Sequence, residues 1–363
     1  MAPNLAVGLD KSKFEIDYFY TAAADEERKK ILEHSGVNLI PVNSKGQKHY
    51  RGEWVDSDLF EKFDESRYDI IQTAVAGERE WPFYLLKKPV VHSIHLDDGV
   101  DLSDNVCHNF VLCEWMRDKW SGMGGIRELS SAAPIGCELP CATGNLREEL
   151  KINPDVVVCG FHQTTDGEAF SPIPLACFAA IKNSNRCHFL ILGGSGKYSE
   201  QAKALGLKNF TQLEHASSKV RVSEFLNTLD IFSHGRKDGE TFGYVFVDAL
   251  LHGVPCLSHR TKTSNAQQQT MGPGGIFAKN RREYRAALQR LIDDGAMREK
   301  MAAEGLKYAR EKFIDTDYFR HIEDVYFNVV NRRQIFYKIH KKNWVKSRAK
   351  VFRHKLMKFF KMM

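Results

Sequence analysis

The 363-residue chain has no run of eighteen apolar residues, which excludes a helix apolar enough to cross a bilayer. No charged-then-apolar leader opens it either, so the expected place is the cytoplasm, free or peripheral on the cytosolic face of a membrane. None of the eight cysteines forms a C-x-x-C pair, which removes the usual zinc and thioredoxin motifs. Cys159, Cys177, Cys187 and Cys256 stand in apolar surroundings as small core residues, and Cys137 with Cys141 is a weak pair for a metal. Reduced thiols and no metal or other cofactor are expected. Repeats are absent, and low complexity is confined to the basic end.

Acidic residues are missing from Asn331 to Met363, a stretch that holds twelve of the 52 Lys and Arg. With all 46 acids before it, the body is net −6 and the tail +12, so the overall +6 belongs to the tail. The body therefore gives no sign of a nucleic-acid surface. Val345, Phe352, Leu356, Phe359, Phe360 and Met363 fall at helical spacing, flanked by Lys346, Arg348, Lys350, Arg353, Lys355, Lys358 and Lys361. This reads as a basic amphipathic helical tail, 331–363, lying on an anionic membrane surface. Two alternatives stay open: packing of Ile335, Phe336 and Ile339 on the body, and a single-stranded nucleic-acid arm.

The most informative stretch is Ser233 to Pro255, SHGRKDGETFGYVFVDALLHGVP. Before it, Thr228 to His234 reads as a strand. Tyr244 to Leu251 has helical spacing, Gly253 stands where a helix ends, and Pro255 to His259 starts a new strand. Glu240 then lies on the loop at the helix mouth, with Asp248 about one and a half turns inside on the same side. Both acids face the carboxyl end of a strand, where open α/β sheets bind ligands. Taken singly, each acid reads more readily as an ordinary helix-dipole partner or a solvated charge; the whole unit reverses that.

Around it the rhythm is βαβα. Strands are expected at 154–160 and 188–193 and helices at 172–181, 281–293, 296–311 and 316–330, with a glycine turn Gly194-Ser-Gly196 and a polar loop 260–275. The N-terminal half carries candidate strands at 14–20, 37–42, 68–73, 89–94 and 109–113. A linker is expected within 141–149, dividing the chain into domains 1–145 and 146–330, followed by the tail.

Glu240-Thr-Phe-Gly243 followed by Asp248 resembles the E-x(7)-E signature of the retaining GT-B glycosyltransferases of the family-4 type, with Asp248 in place of the second Glu. The resemblance is clearest in the second half. It implies an α/β GT-B fold of two facing Rossmann-like, doubly wound domains, and transfer of a sugar from a nucleotide-sugar donor to a hydroxyl acceptor, a glycan or lipid-linked. It gives Glu240 the donor sugar's hydroxyls, Thr241, Phe242 and Gly243 the sugar and diphosphate through their amides, and Asp248 the ribose. His95, chosen over His92 because it closes its strand, becomes the residue that orients the sugar; a backbone-paired loop histidine is the other reading. Read from the residues alone, Gly194 opens a glycine-rich turn that could take phosphate, a weak signal by itself.

Three departures accompany the resemblance. The family's first strand is missing, since Met1 to Lys11 already reads as the helix that follows it; either the start lies upstream or the sheet is shortened. The two cations expected after the domain's first strand are replaced by His162 and Asp166, leaving Arg236, Lys237 or Lys197 to meet the diphosphate. The tail is the third. Together they keep a second class open, a non-catalytic nucleotide-sugar-binding or membrane-docking subunit.

Overall fold

The computed structural model describes residues 2–21, 26–43, 57–134, 136–314 and 317–362, with the backbone alone for 2, 26–27 and 358–362. The chain divides into two units, residues 1–136 with 317–363, and residues 137–316. The break falls before the expected 145/146 because the 141–149 stretch is bonded into the second unit. Leu146 N donates to Thr228 Oγ1 at 2.8 Å and Asn227 Nδ2 to the carbonyls of Ala142 and Gly144 at 2.9 Å.

Unit 1 opens with α1 (Ala2–Gly8), β1 (Asp17–Thr21), α2 (Glu26–His34), β2 (Asn38–Val42) and α3 (Leu59–Lys62). Then follow β3 (Ile71–Val75), β4 (Val90–Ile94), β5 (Val106–Val111), α4 (Glu114–Met123) and β6 (Ser130–Ala132). All pairings are parallel, but they form two sheets: β1 with β2, and β3-β4-β5-β6 in that order. β4 and β5 are buried along their whole length, as strands covered on both faces must be.

Unit 2 runs β7 (Val157–Gln163), α5 (Ile173–Phe178), β8 (Cys187–Gly193), α6 (Lys197–Ala204), β9 (Phe210–Leu213), α7 (Lys219–Thr228) and β10 (Ile231–Ser233). It continues with α8 (Tyr244–Leu251), β11 (Cys256–His259), α9 (Gln267–Met271), β12 (Gly275–Ala278), α10 (Arg281–Asp293) and α11 (Gly295–Ala309). Its six parallel strands lie in the order β12-β11-β10-β7-β8-β9. Numbered within the unit this is 3-2-1-4-5-6, the Rossmann order, whose direction reverses between β7 and β10. The continuous apolar run of β8, CHFLILG, belongs to such a doubly covered sheet. The four cysteines read as core residues are buried here, and burial raises each thiol above its ordinary range.

α10 shows how local signals fix an element. Asn280 Oδ1 accepts from Glu283 N at 3.0 Å and Glu283 Oε2 from Lys279 N at 2.9 Å, a reciprocal cap, while Tyr284, Ala287, Leu288 and Leu291 form the buried stripe. Tyr284 Oη then donates to the His234 carbonyl at 3.2 Å, tying α10 to the exit of β10.

The strand expected from Thr228 is shorter than the sequence suggests. Thr228 closes α7, its hydroxyl bonded to Glu224 O at 2.8 Å, and Asp230 is drawn aside by Val158 N and Arg147, both at 2.7 Å. The polar 260–275 loop contains α9, whose Gln267 and Thr270 are buried.

The chain returns to unit 1 as α12 (Tyr318–Asn331) and α13 (Arg333–Met362). Ile322, Val325, Tyr326 and Val329 of α12 pack with Leu5, Leu9, Val91 and Phe110. The tail is thus one helix whose inner side holds His340 and Ser347 at 4% and 6% exposure. Phe336 packs on the α12 cluster, whereas Ile335 is exposed. Val345, Phe352 and Leu356 point outward; Phe359, Phe360, Lys358, Lys361 and Met363 lie outside the described side chains. No described helix is long and apolar enough to cross a membrane.

Candidate functional site

The loop from β10 to α8 sits at the carboxyl ends of the unit 2 strands, beside the sheet's reversal point. It is held open by its own backbone bonds to the segment after β11. Ser264 N donates to Asp238 O at 2.9 Å, Ala266 N to Glu240 O at 3.1 Å, and Thr270 Oγ1 to Phe242 O at 2.6 Å. Gly239, at φ +74°, runs so close that a Cβ would lie 1.8 Å from Ser264 O. No other residue fits there.

Glu240 occupies the centre of this loop. Its amide donates to Gln267 Oε1 at 3.2 Å, and its Oε1 lies 3.8 Å from Nε2 of the buried His234. Burial keeps His234 neutral, with His259, His162 and Arg236 adding to the effect. Burial likewise pushes the Glu240 carboxyl up to about 7, against the opposing pull of Arg236, although a fifth of its side chain meets solvent. A carboxyl poised there ionises readily once hydroxyl donors replace the missing water.

Next to it is the mouth of α8. Gly243 caps the helix at φ +90°, where a Cβ would stand 2.7 Å from Phe246 Cδ2 and 3.3 Å from Glu240 Cβ. Glu240 and the amide end of α8 therefore share one small volume, an acceptor for hydroxyls beside donors for an anion. Phe242 points the other way, buried between Tyr244 and Phe313 with ring centroids at 4.7 and 5.6 Å. It offers the site its backbone only. Thr241 lies between them, partly exposed.

Asp248 lies in the second turn of α8, half-buried, and burial with help from Glu138 raises its carboxyl to about 7. Glu138 had no signal in the sequence reading, because it precedes the first strand of the unit by almost twenty residues.

The cations are distributed differently from the sequence expectation. His162 turns toward Phe225 and Phe232, with centroids at 6.3 and 5.9 Å, and burial lowers it to about 4. It is neutral near pH 7 and carries no charge for a diphosphate. Asp166 caps the next turn, accepting from Glu168 N at 2.9 Å. Arg236, on the loop itself, pairs with Asp238 at 2.8 Å and pulls the Glu240 carboxyl down against its burial, so its charge is felt at Glu240. Lys237 stands further out, 3.9 Å from the exposed Glu168.

Lys197 crosses from α6 to the Gly167 carbonyl at 3.2 Å, and with Lys237, Arg260 and Lys262 lines a cleft of about 800 Å³. Arg260 and Lys262 were missed; their signal was the RTK triplet directly after β11. Gly194 turns out of β8 at φ +73°, its amide bonded to Gln163 O at 2.9 Å, and leads into α6.

In unit 1, His92 is held inside the sheet by Thr73 Oγ1 at 2.5 Å and Asp101 Oδ2 at 3.4 Å. His95 follows β4 at its carboxyl end, its amide bonded to Val75 O at 3.0 Å, and burial lowers its imidazole to about 4. A neutral imidazole at that position can donate or accept one hydrogen bond.

Residues 175–308 match the sequence profile of the glycosyl transferases group 1 family. Among curated proteins no relative matches the chain. Among solved structures it is similar to Alr3699/HepE of Anabaena in complex with UDP and glucose, at TM-score 0.65 and 16% identity over 84% of this chain and 90% of that one. WaaG, a glycosyltransferase involved in lipopolysaccharide biosynthesis, aligns at 0.63 and 12% over 91% and 94%. A glycosyltransferase from Rickettsia africae aligns at 0.69 and 11%, again over 91% and 94%. The group 1 glycosyltransferase profile thus spans the site described above, and the likeness to these solved structures extends the GT-B fold over both units.

Proposed function

We propose that this glycosyltransferase moves a hexose from a uridine-diphosphate sugar to a hydroxyl of a glycan or lipid-linked acceptor at a membrane surface, with retention at the anomeric carbon. The observation that carries the reading is the shared volume of Glu240 and the α8 mouth, so close that a Cβ on Gly243 would stand 3.3 Å from Glu240 Cβ. Glu240 accepts from the sugar hydroxyls. The α8 amides meet the diphosphate, with Arg236, Lys197 and Lys237 to supply positive charge. Asp248 takes the ribose hydroxyls, and His95 orients the sugar. The leaving phosphate oxygen accepts the acceptor's proton as the new glycosidic bond forms, so no side-chain nucleophile is required. Uridine is favoured because the HepE structures hold UDP and UDP-glucose.

Membrane association is supported by α13. Its outer side exposes Val345 (73%), Phe352 (71%), Leu356 and Met357 among Lys341, Lys342, Arg348 and Lys355. Each basic side chain near an anionic surface contributes about 1 kcal/mol.

A non-catalytic, nucleotide-sugar-binding subunit is the second reading, favoured by the neutral His162 and by Asp166. Thermal unfolding with UDP, GDP, ADP and their glucose conjugates tests the donor site, since a ligand of the native state raises the midpoint by mass action. UDP and UDP-glucose are expected to stabilise the protein, and Asp248→Ala to remove the effect. Stabilisation by none of them would overturn the donor-site reading. Stabilisation without turnover would favour the subunit.

A further inference from the structure

The start of α13 borders a cavity of about 710 Å³ in unit 1. It lies at the amino ends of β4 and β5, the opposite end of the sheet from His95, with Lys87 and Val106 in one wall and Arg333, Phe336 and Lys338 in the other. Its floor is apolar, since Leu86, Val106 and Cys107 are all buried. The Arg333 guanidinium reaches in, Nη2 donating to Lys87 O at 2.8 Å; burial raises the Cys107 thiol and Arg333 pulls against it. Among the described residues, Lys87, Arg333 and Lys338 have no acidic partner. The acid among the described lining residues, Asp104, has a side chain 78% exposed and turned to His340 Nδ1 at 3.6 Å.

We infer that this cavity holds the headgroup of an anionic phospholipid, its phosphate against Arg333 and Lys338 and its glycerol end against Leu86, Val106 and Phe336. The inference deepens the membrane reading of α13 and rests on it. Cations without acidic partners select an anion, and a guanidinium meets a phosphate through two parallel hydrogen bonds. The apolar floor selects an amphiphile, because a free phosphate leaves that surface against water. Residues 44–56, outside the description, carry Lys45, Lys48 and Arg51 against Glu53 and Asp56, so that segment is no charge match for the cavity. α13 itself supplies the source of the lipid. Gln334 and Lys338 share one stripe with the exposed Val345, Phe352 and Leu356, each four or seven residues from the next. The cavity therefore adjoins the face of α13 assigned to the membrane, with Lys338 about 10 Å along the helix from Val345.

Calorimetric titration of the full chain with dihexanoyl phosphatidylglycerol, kept below its micelle concentration, tests it. Saturable binding is expected, about tenfold or more tighter than that of glycerol 3-phosphate or dihexanoyl phosphatidylcholine. Arg333→Ala and Lys338→Glu should each weaken it about tenfold. Lys338 is exposed, so the second variant keeps the fold. Val345→Glu with Phe352→Glu should leave this binding unchanged while removing the protein from phosphatidylglycerol vesicles. Short-chain lipid binding by a wild-type chain that ignores vesicles would refute the membrane face and uphold the cavity as a lipid site. No saturable binding of the short-chain lipid would overturn the inference, even with vesicle binding intact. So would equal affinity for glycerol 3-phosphate, the mark of a site for free phosphate esters, or unchanged affinity in both cavity variants.

Discussion

Glu240 is built at a cost to stability. Its carboxyl is raised from 4.5 to about 7 by burial, so between those pH values the folded protein keeps a proton that the unfolded chain has lost. The group's contribution to stability is whole below pH 4.5 and is lost as the pH rises through 7. Glu240→Gln should therefore stabilise the protein at pH 8, by on the order of 1–2 kcal/mol after discounting for its partial exposure, and leave it unchanged at pH 4. Urea unfolding at the two pH values checks this; equal stability at pH 8 would mean that the carboxyl is not desolvated. The same substitution should slow transfer roughly ten- to a hundredfold, the worth of a charged hydrogen bond to a hydroxyl. A residue that stabilises when removed and yet is needed for turnover is retained for function. Asp248, raised from 3.8 to about 7, should show the same pH pattern in Asp248→Asn and weaken nucleotide binding. Both acids were legible from their spacing around the Phe-Gly turn. Their burial was not, because Glu138 and His234 are brought to them by the fold.

At the scale of elements, the loop from β10 to α8 depends on two glycines with positive φ. Gly243→Ala forces a Cβ to 2.7 Å from Phe246 at φ +90°, and should lower stability by about 1–3 kcal/mol and remove stabilisation by UDP, because the helix mouth must rotate. Thermal unfolding with and without UDP reads both effects; an unchanged UDP response would place the nucleotide elsewhere. β8, α8 and α10 were readable because apolar runs, caps and stripes are local signals. α9 was not, since its buried Gln267 and Thr270 are satisfied by His259 O and Phe242 O, partners distant enough in sequence to look like loop. The apolar slot between β1 and β3 could only be seen in three dimensions.

For the whole molecule, α13 joins two expectations that the sequence left as alternatives, packing on the body and an outward basic face. His340, Ser347 and Phe336 face unit 1, so deleting 331–363 should lower the unfolding temperature as well as any membrane binding. Val345→Glu with Phe352→Glu changes only exposed positions. That pair should leave the unfolding temperature within a degree or two and abolish sedimentation with phosphatidylserine vesicles; undiminished sedimentation would remove the membrane role from this face. The catalytic claim is tested most directly by UDP release from UDP-glucose, with lipid-linked and glycan hydroxyl acceptors, by the wild-type chain and Glu240→Gln at equal folded fraction. Acceptor-dependent release by the wild type, reduced at least tenfold in the variant, is the predicted result. Equal release by both proteins would contradict the role of Glu240, and no release by either would contradict transfer from this donor.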